Sequence, residues 1–230
     1  DINQQSRVIV KNYLNAELSA RLVDGYLAIY DENVEKFHGN QKSGDDISKE
    51  DIVTASTQIN GTLEQKQKVV IVIRLLEYIF ADENISEYEK NFLITVADTF
   101  NIPREEYDVI LNFIEPENIP NSENILIIGR DESLKGSNNK NHFIKSPNLS
   151  GRIVVVRIPS VDMYAMHFTG NEELYLNGQI IHSGRSYILT SGSSIRSSKV
   201  QPVYFSDIVS TFMNTGEATK VVFKAENITY

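Results

Sequence analysis

The stretch Glu115-Pro116-Glu117-Asn118-Ile119-Pro120-Asn121-Ser122 decides how the chain is read, because the hydrophobic pattern changes across it. Its prolines remove backbone donors, and its acidic and amide side chains favour turns, so it reads as a boundary. Before it, apolar residues recur at helical spacing; after it, they fall into short strand-like runs. Charge divides at the same place. Residues 1–120 hold 11 Lys+Arg against 22 Asp+Glu, net −11, and residues 121–230 hold 11 against 9, net +2. The expectation is an α+β chain of two domains: an all-α helical bundle over 1–117 and an all-β sandwich over 118–215. Residues 216–230 follow as a linker and a strand.

Composition removes several function classes. Among 230 residues there is no cysteine and no tryptophan, and 41% are hydrophobic, which excludes a disulfide scaffold, a thiol-dependent enzyme and a disordered tail. A net charge of −9 argues against sequence-independent nucleic-acid binding, which needs several cations facing phosphates. The longest aliphatic run, Val69 to Ile73, falls far short of the roughly 20 residues that cross a bilayer, so no membrane insertion is expected. The chain opens on Asp1 with no signal-like segment and is expected to be a soluble piece of a longer protein.

In the first half, Val8, Val10, Tyr13, Leu14, Leu18, Leu22, Ala28 and Ile29 form one apolar stripe on a long helix or helix pair. Glu35 to Lys49, with Gly39 and Gly44, reads as a loop. Thr62-Leu63-Glu64-Gln65 has capping-box spacing before a central helix from Gln67 to Phe80, and Ser86-Glu87-Tyr88-Glu89 repeats that spacing before Phe92, Leu93 and Val96. A last helix opens at Pro103 and runs through Tyr107, Ile110, Leu111 and Ile114.

The connection Ala81-Asp82-Glu83-Asn84-Ile85-Ser86-Glu87-Tyr88-Glu89 gathers oxygen ligands suited to a hard divalent cation. It is not an EF-hand loop: counted from Asp82, the sixth residue is Glu87 instead of Gly and the twelfth is Leu93. The same residues also fit a helix-to-helix turn whose acids sit near a helix N-terminus, where the backbone dipole favours them. This Ala-Asp-x-x-Ile-x-x-x-Glu order, followed by an apolar helix and then Asn101-Ile102-Pro103, resembles the TerB-like family of small helical domains from tellurite resistance. The resemblance implies a pseudo-symmetric helical bundle, echoed by Asp31-Glu32-Asn33-Val34 against Asp82-Glu83-Asn84-Ile85, and a divalent cation at Asp82 and Glu89. Glu83 departs from the family's usual glycine.

In the second half, Ile125–Ile128, Ile153–Ile158, Met163–Phe168, Leu174–Leu176, Tyr187–Leu189, Val203–Phe205 and Ile208–Phe212 read as strands of a sandwich or barrel. Asn177-Gly178 marks a hairpin, Asp131 to Asn141 a long polar loop, and Ser191 to Ser198 a turn or an anion cradle. Tyr204 to Ser210 fits a closing core strand or a docking patch.

Gly129-Arg130, then Ser150-Gly151-Arg152, Asn177-Gly178 and Gly192-Ser193-Ser194-Ile195-Arg196 follow in an order that resembles forkhead-associated (FHA) domains. That resemblance implies a phosphopeptide site at Arg130, Ser150 and Asn177, and a guanidinium beside a hydroxyl suits phosphate. Two departures are Ile153 where the family has His, and Leu174-Tyr175-Leu176 before the Asn-Gly. A sandwich using its loops for other protein contacts is the alternative.

His38, His142, His167 and His182 show no metal-ligand spacing, and no serine lies in a nucleophile motif, so no catalytic residue is assigned and no enzyme is expected. Val221 to Tyr230 resembles the first strand of an ABC-transporter ATPase domain. The adenine-stacking aromatic and the phosphate loop of that family would lie beyond Tyr230, so ATP and magnesium are expected only in a downstream domain. The three resemblances in this order are similar to the cytosolic N-terminal region of a bacterial ABC-transporter ATP-binding protein. They imply a regulatory or protein-interaction segment at the cytoplasmic face of the inner membrane, with protein partners or the parent's ATPase and membrane domains as its contacts.

Overall fold

The computed structural model describes residues 49–80, 85–115, 119–137 and 140–213, with positions 7, 10, 11, 23–25, 27, 28, 30–32, 34 and 35 before them. The chain divides into two compact units, Asp1–Ser48 and Lys49–Tyr230. In the first unit the described positions are helical, Val23 and Leu27 are buried one helical turn apart, and Arg7 holds Asp31 through two hydrogen bonds of 2.7 and 2.9 Å. Of Glu35 to Lys49, expected as a loop, the two end residues are helical and 36–48 lie outside the described residues, as do 216–230, expected as a linker and strand.

The second unit is α+β, with helices preceding a β-sandwich. Four helices come first: α1 (Lys49–Asn60), α2 (Gln65–Phe80), α3 (Glu87–Thr99) and α4 (Arg104–Ile114). In α2, Val69, Val72, Ile73, Leu76 and Ile79 keep the i, i+3, i+4 spacing and are all buried. Burying one such side chain contributes about 1.5–3 kcal/mol, so this stripe fixes the helix more firmly than its intrinsic propensity does. Ser86 and Glu89 form the capping box anticipated for α3.

The α3–α4 corner is set by Asn101. It adopts φ 54°, and the bonds Asn101 N to Asp98 O (3.0 Å) and Ile102 N to Ala97 O (3.0 Å) close a Schellman motif; Pro103, expected as the first helical residue, is instead the N-cap of α4 with an extended ψ of 137°. At α2 the expectation differs from the structure. The Thr62 hydroxyl donates to the Ile59 carbonyl at the end of α1, and Gln67 instead accepts the Glu64 amide.

The strands are β1 (Ile125–Gly129), β2 (His142–Lys145), β3 (Gly151–Ile158), β4 (Met163–Gly170), β5 (Leu174–Leu176), β6 (Gln179–Ile181), β7 (Ser186–Leu189), β8 (Ser194–Arg196) and β9 (Val203–Tyr204). They form a five-stranded sheet ordered β2-β1-β3-β4-β7 and a four-stranded sheet ordered β6-β5-β8-β9. All pairs are antiparallel except β1 with β2, which run parallel and are joined through a 3-10 turn at Glu132–Lys135.

Between the sheets lie Leu126, Ile128, Ile153, Val155, Met166 and Phe168 from the first sheet, with Leu174, Ile195 and Val203 from the second. The alternate residues of the large sheet, Ile125, Ile127, Val154, Val156, Ala165 and His167, are also buried, on the face that α4 packs against. A sheet covered on both faces requires continuous apolar strands, which is why β1 reads Ile-Leu-Ile-Ile without alternation.

One expected strand is a helix. Phe205–Met213 forms α5, and Ile208–Phe212 lies within it. Its apolar residues at 205, 208, 209, 212 and 213 have helical spacing; Ile208 and Phe212 enter the core, and Asp207 accepts the Tyr204 amide at 3.0 Å to fix the start.

Candidate functional site

The end of β1 carries the first of the expected site residues. Gly129 closes the strand, and a Cβ there would lie 2.3 Å from Cδ1 of Leu134, so the glycine lets the following turn fold back over it. Arg130 follows, exposed. Asp131 then caps the 3-10 turn: its Oδ1 accepts the Ser133 amide at 2.9 Å and also the Ser133 hydroxyl. Those bonds, helped by the nearby charges of Arg130 and Lys145, hold the Asp131 carboxyl below the usual carboxylate range.

Ser150 reaches the same place from β3. It precedes Gly151, which adopts φ +113°, and a Cβ on Gly151 would lie 2.2 Å from the Thr169 carbonyl oxygen. Gly170, paired with Gly151 in the ladder, shows the reciprocal constraint: its Cβ would lie 2.3 Å from the Ser150 carbonyl oxygen. Two glycines therefore let β3 and β4 approach closely at the point where Ser150 turns out to solvent.

Between these segments is an open cavity of about 480 Å³, lined by Arg130, Asp131 and Leu134 on one side and by Leu149, Ser150, Gly151, Arg152 and Thr169 on the other. The strand register sets Lys145 and Arg152 on either side of Gly129, so three cationic residues, Arg130, Lys145 and Arg152, gather at one end of the sheet beside the carboxylate of Asp131. Arg152 is half-buried and already has an interaction partner.

Of the residues expected to bind phosphopeptide, Arg130 and Ser150 line this cavity and Asn177 does not. Asn177 occupies the β5–β6 turn with φ 54°, followed by Gly178 at φ 86°, and its backbone and side chain are spent on β8. Its Oδ1 accepts the Ser194 amide at 2.9 Å, and its amide donates to the Ser194 carbonyl at 3.0 Å. Lys145 was not marked by the sequence, because a cation at the end of a short half-exposed strand has no motif around it.

Of the expected metal pair, only Glu89 falls within the described residues. Asp82 lies outside them. Glu89 Oε2 accepts both the Ser86 amide (2.8 Å) and the Ser86 hydroxyl (2.7 Å), so this carboxylate closes a helix cap. Among the described residues no group of three His, Cys, Asp or Glu side chains is placed to hold a metal ion. No described helix is long and apolar enough to cross a membrane.

A second cavity, of about 370 Å³, lies between α4 and the sheet, where Glu106 accepts the Ser160 amide at 2.8 Å and its hydroxyl at 2.5 Å. No protein-family model, curated protein or solved structure matches the chain.

Proposed function

We propose that the chain is a non-catalytic protein-interaction segment that takes a phosphorylated segment of a partner protein at the Arg130–Ser150 cavity. The observation that carries this reading is that Arg130 and Ser150, from separate loops, line one open cavity at a cation-rich end of the sheet. A guanidinium can pair with two phosphate oxygens at once, a serine hydroxyl donates to a third, and the remaining cations add attraction without fixing geometry. Loops at one end of a rigid sandwich are also where such domains place recognition residues.

In a parent bacterial ABC-transporter protein, capture of a phosphorylated partner here would bias the arrangement of neighbouring domains and so regulate the ATPase. Fluorescence anisotropy with a phosphothreonine peptide library and its unphosphorylated twin tests the binding step. Arg130→Ala and Ser150→Ala should each weaken phosphopeptide binding about tenfold or more, the scale of a lost hydrogen bond to a charged group. Equal affinity for both libraries, or none for either, rejects the reading. The regulatory step is tested by ATPase turnover of the parent protein with and without residues 1–215.

A further inference from the structure

We propose that His167 is a proton-operated latch between helices α2 and α4 and the five-stranded sheet, seated while the imidazole is neutral and loosened when it takes a proton. This inference stands apart from the phosphate reading. His167 is on the helix-facing side of β4, opposite Val154 of β3 and Ser186 of β7, and is 5% exposed. Its Nδ1 is hydrogen-bonded to the Ser186 hydroxyl at 3.3 Å. Its Nε2 is buried with no hydrogen-bond partner among the described residues. The ring stands edge-on to Phe113 of α4, centroids 6.0 Å apart at 84°.

The groups around it offer an added positive charge little support. From α2 come Arg74 and Glu77, from β3 Arg152, from β7 the Ser186 hydroxyl, and from α4 the apolar ring of Phe113. Glu77 is the only carboxylate among them, and it is occupied: Oε1 accepts the Ser186 amide at 2.5 Å and Oε2 the Arg74 guanidinium at 2.8 Å. In the imidazolium both ring nitrogens carry protons: the one on Nδ1 can meet the Ser186 hydroxyl, whereas the one on Nε2 is buried without an acceptor among the described residues, and an apolar interface tolerates that charge poorly. Separation of the helices from the sheet relieves this, because water then reaches the ring.

Burial pushes the His167 imidazole below the ordinary histidine value, Arg152 acts in the same direction, and Glu77 opposes them. The released state regains the ordinary value, near 6.5, so it binds more protons in the window between the two. Docking is therefore complete above about pH 6.5, weakens as pH falls toward the depressed value, and changes no further below it.

The chain has no cysteine, so Tyr78→Cys on α2 and Ile180→Cys on β6, at positions 42% and 49% exposed, can be labelled as a fluorescence energy-transfer pair. The expected result is a reversible change in transfer between pH 7.5 and 5 with its midpoint below about 6.5, while far-UV circular dichroism stays constant. His167→Phe, which keeps a packed ring and removes the titration, should give a flat profile; His167→Gln serves if the Phe variant does not fold. An unchanged wild-type signal, an unchanged pH profile in the variant, or loss of circular dichroism with the same midpoint overturns the latch. So does an imidazole titration by NMR that places His167 at or above the ordinary value.

Discussion

Glu77 and Ser186 are 109 residues apart in sequence, and the amide of one donates to the carboxylate of the other at 2.5 Å. Arg74, one turn earlier on α2, closes the bracket: its guanidinium donates to Glu77 Oε2 at 2.8 Å and to the Ser186 carbonyl at 2.9 Å. Both backbone groups of one residue on the edge strand β7 are thus satisfied by an ion pair whose side chains are only 17% exposed. Glu77→Ala takes the carboxylate from the part-buried Arg74 guanidinium and leaves the Ser186 amide without its acceptor, at a cost of about 2–3 kcal/mol. Urea unfolding measures this, and a double-mutant cycle with Arg74→Ala should show coupling above about 1 kcal/mol. Additive effects would mean that the bracket does not act as a unit.

Gly151 and Gly178 both have positive φ and should respond very differently to alanine. At Gly178 nothing lies within 4 Å of an added Cβ, so Gly178→Ala pays only backbone strain, about 1 kcal/mol. At Gly151 the same φ penalty is joined by a methyl 2.2 Å from the Thr169 carbonyl oxygen, and the ladder to β4 must open. Gly151→Ala is therefore expected to be the more damaging, by a further 1–3 kcal/mol or so. Comparing urea midpoints of the two variants decides the order.

Ser86→Ala removes the acceptor of the Glu89 amide, a 3.2 Å bond, and should lower stability by about 1 kcal/mol. Glu89→Ala frees the Ser86 amide at the other end of the box and should cost a similar or smaller amount. Thermal unfolding in buffer containing a chelator checks both, since a helix cap acts without any cation. A Glu89→Ala effect that appears only when a divalent cation is added would instead assign the carboxylate to a metal.

Asp131 is the one negative charge on the cavity wall, and its lowered pKa keeps it ionised throughout the neutral range and well into acid. Asp131→Asn retains an acceptor for the Ser133 amide and removes the charge. Exposed like charges in water repel only weakly, so phosphopeptide affinity should rise about threefold and no more. Titrations at fixed ionic strength read this directly; a weaker complex would mean that the carboxylate positions Arg130 and does not repel the ligand.

The elements legible in the sequence are those whose local chemistry and packing agree. Ser86 and Glu89 cap a helix in either view, and Asn177-Gly178 makes the tight turn its residues favour. Helix α1 was not legible because Lys49–Asn60 buries only Ile52 and Ser56, too sparse a stripe to register as periodic. In α5 the run Phe205-Ser206-Asp207-Ile208-Val209 looks strand-like by composition, and its helical spacing becomes decisive only with Asp207 fixing the start. At the site, Arg130 and Ser150 were visible as motif residues, whereas their approach depends on Gly151 facing Gly170 across a ladder, a relation that no local pattern carries. His167 was one of four scattered histidines until β4 placed it against Phe113.

The Glu77–Ser186 bond also bears on the order in which the chain is made. At roughly 5–20 residues per second on the ribosome, the 109 residues between them take about 5–20 s to emerge. Until β7 emerges, the groups of α2 that hold it, Arg74 and Glu77, have no edge strand to meet. Residues 1–120 carry a net charge of −11, from 11 basic against 22 acidic side chains, and like charge on the nascent segment opposes its association with other chains during those seconds.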